Sequence, residues 1–168
     1  MRTLLVMMVL LCVGAGSADA QRRRDPDGLD WLPGPVEFGV RGGHSFEERV
    51  GSAGSQLRIP LLRELLVVPS ADVFFGDEAG VEWQLNADAV VRPFGLGGLY
   101  AGAGGAFVIR DSDGDDDEEW EAGYNLFAGL EGGSMFDASV LPFVEARWSY
   151  VDDFSPFRIA AGINVAVR

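Results

Sequence analysis

At 168 residues, 48% of them hydrophobic and 23% charged, the chain has room for one domain. Its net charge of −13 argues against nucleic acid as a partner, because phosphate contacts need a basic face. It equally disfavours docking on anionic head groups through charge alone. Every basic side chain is Arg and none is Lys, and no uninterrupted run of about eighteen apolar residues suggests a transmembrane helix.

Residues 1–20 read as a cleaved secretory signal peptide. Arg2 supplies the positive end, Leu4 to Val13 the apolar core, and Ala18-Asp19-Ala20 the small-residue cleavage site. Cys12, the single cysteine, lies inside that segment and lacks the small preceding residues of a lipoprotein box. The mature chain is therefore expected to have no disulfide and no Cys-ligated metal. Residues 21–35, rich in Pro, Gly and charge, read as an extended periplasmic lead-in, with Trp31 placed to touch a membrane interface.

From residue 36 to residue 168 the sequence shows eight alternating segments. A strand's side chains point to opposite faces with period two. The first, Val36 to Ser45, sets Val36, Phe38 and Val40 against Glu37, Gly39 and Arg41. A polar loop is expected over Phe46 to Gly54, then a second strand over Ser55 to Leu62, with Leu57, Ile59 and Leu61 opposite Gln56 and Arg58. The third, Leu65 to Phe75, carries Pro69, which removes a ladder hydrogen bond and suits edges or bulges.

The fourth, Val81 to Arg92, alternates most cleanly. Val81, Trp83, Leu85, Ala87, Ala89 and Val91 share one face, and Glu82, Gln84, Asn86, Asp88 and Arg92 the other. A tilted strand of about nine to eleven residues crosses a bilayer's hydrocarbon core. The fifth strand is expected over Leu99 to Arg110, the sixth over Trp120 to Glu131, the seventh over Pro142 to Val151 and the eighth over Phe157 to Arg168. Short connections without helical periodicity predict an all-β, eight-stranded antiparallel up-and-down barrel, its last strand closing on its first.

Alternation also fits a soluble lipocalin-like carrier with apolar side chains inside. Two features favour a transmembrane barrel with the polar face inward. Glycines crowd that face (Gly102, Gly104, Gly123, Gly129, Gly162), as a narrow interior requires. Phe75, Trp83, Trp120, Trp148, Tyr150 and Phe157 fall near one rim on the apolar face, with Phe107 slightly below, as in an aromatic girdle. The lumen then holds acids Glu37, Asp72, Glu82, Asp88, Glu121, Glu131 and Glu145, and bases Arg41, Arg58, Arg92, Arg110, Arg147 and Arg158. Buried charges are tolerated when paired, so an ion-paired, plugged interior is expected.

On Trp83-Gln84-Leu85-Asn86-Ala87-Asp88, Tyr100-Ala101-Gly102-Ala103-Gly104, Asn125-Leu126-Phe127-Ala128-Gly129-Leu130-Glu131, Pro142-Phe143-Val144-Glu145-Ala146-Arg147-Trp148 and Ala160-Ala161-Gly162-Ile163-Asn164, the chain resembles the small Gram-negative outer-membrane barrels of the porin-like, OmpA/OmpX-type superfamily. The resemblance implies an integral outer-membrane protein surrounded by lipid and inserted by the barrel-assembly machinery. That machinery reads a terminal pattern which Gly162, Val165 and Val167 match. Ala161 stands where the family has a polar residue, and Arg168 where it has an aromatic. The resemblance implies no cell-wall anchor in this chain.

Two stretches offer other chemistry. Asp111, Asp113 and Asp115 begin like a calcium loop, but Asp116 replaces the expected Gly and Ala122 the closing Glu, so a solvated acidic loop is expected. His44 and Ser45, beside Glu47 and Glu48, are the nucleophile-and-base material of a lipid-modifying enzyme. Adjacent strand residues face opposite ways, so the pair is not expected to act. The sequence therefore predicts a non-enzymatic outer-membrane barrel without cofactor, in a structural or surface-interaction role.

Overall fold

The computed structural model describes residues 34–46, 49–75, 82–93, 98–110, 119–133, 140–151 and 157–167. Eight strands among them form the fold: β1 (Glu37–Ser45), β2 (Val50–Pro60), β3 (Leu65–Phe75), β4 (Glu82–Val91), β5 (Leu99–Arg110), β6 (Glu119–Glu131), β7 (Val140–Tyr150) and β8 (Phe157–Ala166). Each pairs antiparallel with its neighbour in sequence. β8 returns to β1, with Glu37 opposite Ala166 and Ser45 opposite Arg158, so the sheet is a closed barrel without an edge. No helix among the described residues is long and apolar enough to cross a membrane, which says nothing about strands.

The wall is amphipathic in the inverted sense. Arg147 and Arg158 are each 1% exposed, whereas Leu130 is 54% and Phe107 50% exposed. Along β1 the buried positions are Glu37, Gly39, Arg41 and Ser45, and Phe38 and Val40 face out. Apolar side chains outside and polar ones inside exclude the lipocalin-like arrangement. β8 and its extension present Phe157, Ile159, Ile163, Val165 and Val167 outward. At about 3.3 Å per residue and a tilt near 40°, that stretch spans about 25 Å, the height of an outer-membrane barrel's apolar band. The fold is that of a transmembrane eight-stranded barrel.

The expected strand bounds hold at β3 and β5 and are displaced at β2. Where a loop is predicted over Phe46 to Gly54, β2 already runs from Val50, with Val50 opposite Ser45 and Gly54 opposite Arg41. The outward residues of this turn-end half are Gly51 and Ala53, too small to register as an apolar face. Arg49 ends the turn at φ 55°, a left-handed conformation that favours glycine. β7 starts two residues before the expected Pro142, and β8 stops at Ala166.

Pro69 sits in the middle of β3. It pairs with Ala87 of β4, but the β2–β3 ladder skips from Gln56–Ser70 to Ile59–Val67. The missing N–H therefore points at β2 and opens the ladder at Leu57 and Arg58, as a proline without a donor must.

Apolar groups cap the polar interior. Leu66, Val68, Val90, Tyr100, Phe127 and Phe143 cluster at one level, and Ala106, Val108 and Val151 at another. Three inward rings lie over glycines that are their register partners: Phe127 over Gly102, Tyr100 over Gly129 and Phe143 over Gly162. A β-carbon at any of these glycines would meet the ring, so these three lumen glycines are seats for aromatic side chains.

Candidate functional site: the charged lumen

Inward alternation on all the strands brings the predicted lumen charges together in two groups. At mid-height Arg41 grips Asp72 with two donors, Nε to Oδ1 at 2.8 Å and Nη2 to Oδ2 at 2.6 Å. Bidentate pairing of this kind is the geometry a planar guanidinium favours. Arg158 crosses the lumen from β8 to donate to the same Asp72 Oδ2 at 2.8 Å. Arg147 donates to Asp88 at 2.8 Å and to Glu145 at 2.9 Å, and Tyr100 Oη donates to Glu145 at 3.1 Å. Three arginines thus face three acids, all buried, and their formal charges cancel.

The second group lies at the end where the strands meet the termini. Arg58 and Arg92 both donate to Glu37 and Glu131, with Arg58 to Glu37 at 3.2 Å and Arg92 to Glu131 at 3.0 Å. Two bases again meet two acids. The Arg92 side chain is 29% exposed, so this layer is in contact with the mouth. Outside it a recess of about 320 Å³ opens between Pro35, Glu37, Pro60, Leu66 and Arg92.

Neutral side chains that the charge pattern does not single out stitch the mid-height group together. Asn86 donates to Asp72 at 3.0 Å and accepts from Asn125 at 2.7 Å, and Gln56 donates to Asn164 at 2.8 Å. Ser149 Oγ donates to Asn125 at 2.8 Å and accepts from Gln84 Nε2 at 3.3 Å. These residues share the inward parity of the charged ones, and that parity is the signal that finds them. Three guanidiniums also lie over rings, Arg147 over Phe127 at 4.0 Å, Arg158 over Phe74 at 5.0 Å and Arg58 over Tyr100 at 5.5 Å. Such contacts partly offset the loss of hydration.

The remaining predicted lumen residues lie towards the other end. Glu82 and Glu121 are half-buried, and the Arg110 side chain lies outside the described residues. The aromatic residues expected at one rim are outward-facing there. Trp148 packs on Phe157 at 4.7 Å, Phe75, Trp120 and Tyr150 are exposed, and Trp83 lies opposite Val73 and Ile109. Tyr124, not counted in that set, stacks on Tyr150 at 4.8 Å and is 53% exposed.

His44 and Ser45 are separated by the wall. Ser45 faces the lumen at 1% exposure, and His44 faces out, edge-on to Phe46 at 5.1 Å. A base and nucleophile must share a hydrogen bond, and here they occupy opposite faces. No three metal-ligating side chains converge among the described residues. Asp111, Asp113 and Asp115, like the expected signal segment with Cys12 and, in the expected lead-in, Trp31, lie outside the described residues.

No family model matches the chain, and no curated protein matches it in sequence. Solved structures do match. The N-terminal β-barrel domain of Pseudomonas aeruginosa OprF superposes with a TM-score of 0.62 at 18% identity, over 77% of this chain and 94% of that one. Neisserial surface protein A superposes with a TM-score of 0.60 at 14% identity, over 80% of this chain and 99% of that one. At such identities the likeness is one of fold, a closed eight-stranded antiparallel barrel like those two.

Proposed function

We propose that the protein is a non-enzymatic integral outer-membrane barrel. Its ion-paired lumen is plugged, and its acidic external loops serve a structural or surface-interaction role. The observation that carries this reading is the inverted wall, with exposed Leu, Phe and Trp outside and charge-balanced, buried Arg and acid groups inside. Lipid is the medium that such an exterior tolerates without aggregation. Paired arginines and acids fill an eight-stranded interior, which is only wide enough for side chains. The opposite facing of His44 and Ser45 supports a role without catalysis. Export through the signal peptide, insertion by the barrel-assembly machinery and an outer-membrane lipid annulus complete the reading.

Membrane fractionation of the expressed protein, with gel mobility before and after boiling, tests it. Extraction from the outer membrane only by detergent, with a mobility shift on boiling, is the expected result. Recovery from the soluble periplasm overturns the reading. Retention of phenotype by His44→Ala and Ser45→Ala separates it from a lipid-modifying enzyme.

A further inference from the structure

Arg158 is satisfied on one side only. Its Nη2 donates to Asp72 and its plane lies over Phe74, but buried Nε and Nη1 meet no hydrogen-bond partner among the described residues. Ser45, its register partner across the β1–β8 seam, is equally buried, and its Oγ is also without a partner among the described residues. All three groups can donate. The inward residues one step further along β1, β2 and β8 are small, Gly43, Ser52 and Ala160, while the buried Val50 stands directly opposite Ser45 on β2.

The charges around Arg158 are uneven. Asp72 serves both Arg41 and Arg158; Arg41 also lies 3.7 Å from Glu145, whereas Asp72 is the one acid that Arg158 meets among the described residues. Arg147 stands opposite Arg158 in the β7–β8 register, and its acids, Asp88 and Glu145, are engaged by Arg147 itself. The mid-height group is neutral in total, but buried donors left unmade are costly, and those of Arg158 lie on a guanidinium whose one acid is shared. An acceptor-only, singly charged ligand meets all three donors and faces that guanidinium. We propose that the lumen binds a small monovalent anion, of halide size, between the Arg158 guanidinium and the Ser45 hydroxyl. This site does not depend on the role proposed for the loops.

The test is the full-length chain refolded in detergent, compared in sodium bromide and in sodium gluconate at equal ionic strength. A crystal grown in bromide should show an anomalous peak within hydrogen-bond distance of both side chains. The unfolding temperature should be about 2–4 °C higher in bromide at a concentration several times the dissociation constant. Ser45→Val removes a donor and fills the space. It should abolish both signals while the boiling-dependent mobility shift shows that the barrel still forms. An ordered water without anomalous signal, a loop carboxylate seated on Arg158, equal stability in the two salts, or a bromide peak unaffected by Ser45→Val would each overturn the proposal.

Discussion

Asp72 is the residue on which the interior turns, because it accepts from Arg41, Arg158 and Asn86 at once. Removing a carboxylate from such a buried group leaves two guanidiniums without their shared counter-charge. Asp72→Ala should therefore destabilise the barrel by about 3–5 kcal/mol, read as a lower urea midpoint for unfolding in detergent or liposomes. Glu37 is the control. It shares Arg58 and Arg92 with Glu131, and the layer borders the open mouth. Glu37→Gln leaves a second carboxylate and an amide acceptor in place and should cost clearly less than Asp72→Ala. If the two substitutions cost the same, charge pairing is not what organises the interior.

Among the elements, β2 and β3 hold the weak seam. The ladder gap at Pro69 leaves backbone groups unpaired on a wall that faces apolar surroundings, where they cannot be met by water. Pro69→Val restores a donor to a position that already faces outward. It should add about 1 kcal/mol of stability and bring slow amide exchange to residues 57 and 69. Gly162→Ala works in the opposite direction, because its β-carbon would strike the Phe143 ring and the Val40 carbonyl. A loss of about 1–3 kcal/mol is expected, and Phe143→Leu should recover part of it. The same elements mark how far the sequence could be read. β3 was legible to the residue because outward Val67, Val73 and Phe75 alternate with inward Ser70 and Asp72, and β5 because the glycines at 95, 97 and 98 and the acidic run from Asp111 bound it in sequence. The first half of β2 was not, because Gly51 and Ala53 leave its outward face almost blank. Parity also groups the charges that the two ion-paired layers bring together, but not which partner each takes. That depends on the stagger of the closed barrel, which carries Arg158 of β8 across to Asp72 of β3, 86 residues away in sequence.

For the whole molecule the decisive property is which way the wall faces, and the tryptophans report it. Trp83, Trp120 and Trp148 all project outward, towards the end remote from the strand termini. An amphipathic ring there sits at the boundary between hydrocarbon and head group. With Trp31→Phe as background, emission should come from these three alone. Bromines carried on lipid chains near the head group should then quench more strongly than bromines placed at the bilayer centre, and an aqueous quencher should have little effect. In the reverse arrangement, a barrel with these rings enclosed in a cavity, lipid-borne bromine would leave the emission unchanged. Quenching strongest at the bilayer centre would instead mean that the aromatic belt is not at the interface. The outer rim would then have to be sought elsewhere along the strands, although the inverted wall itself would stand.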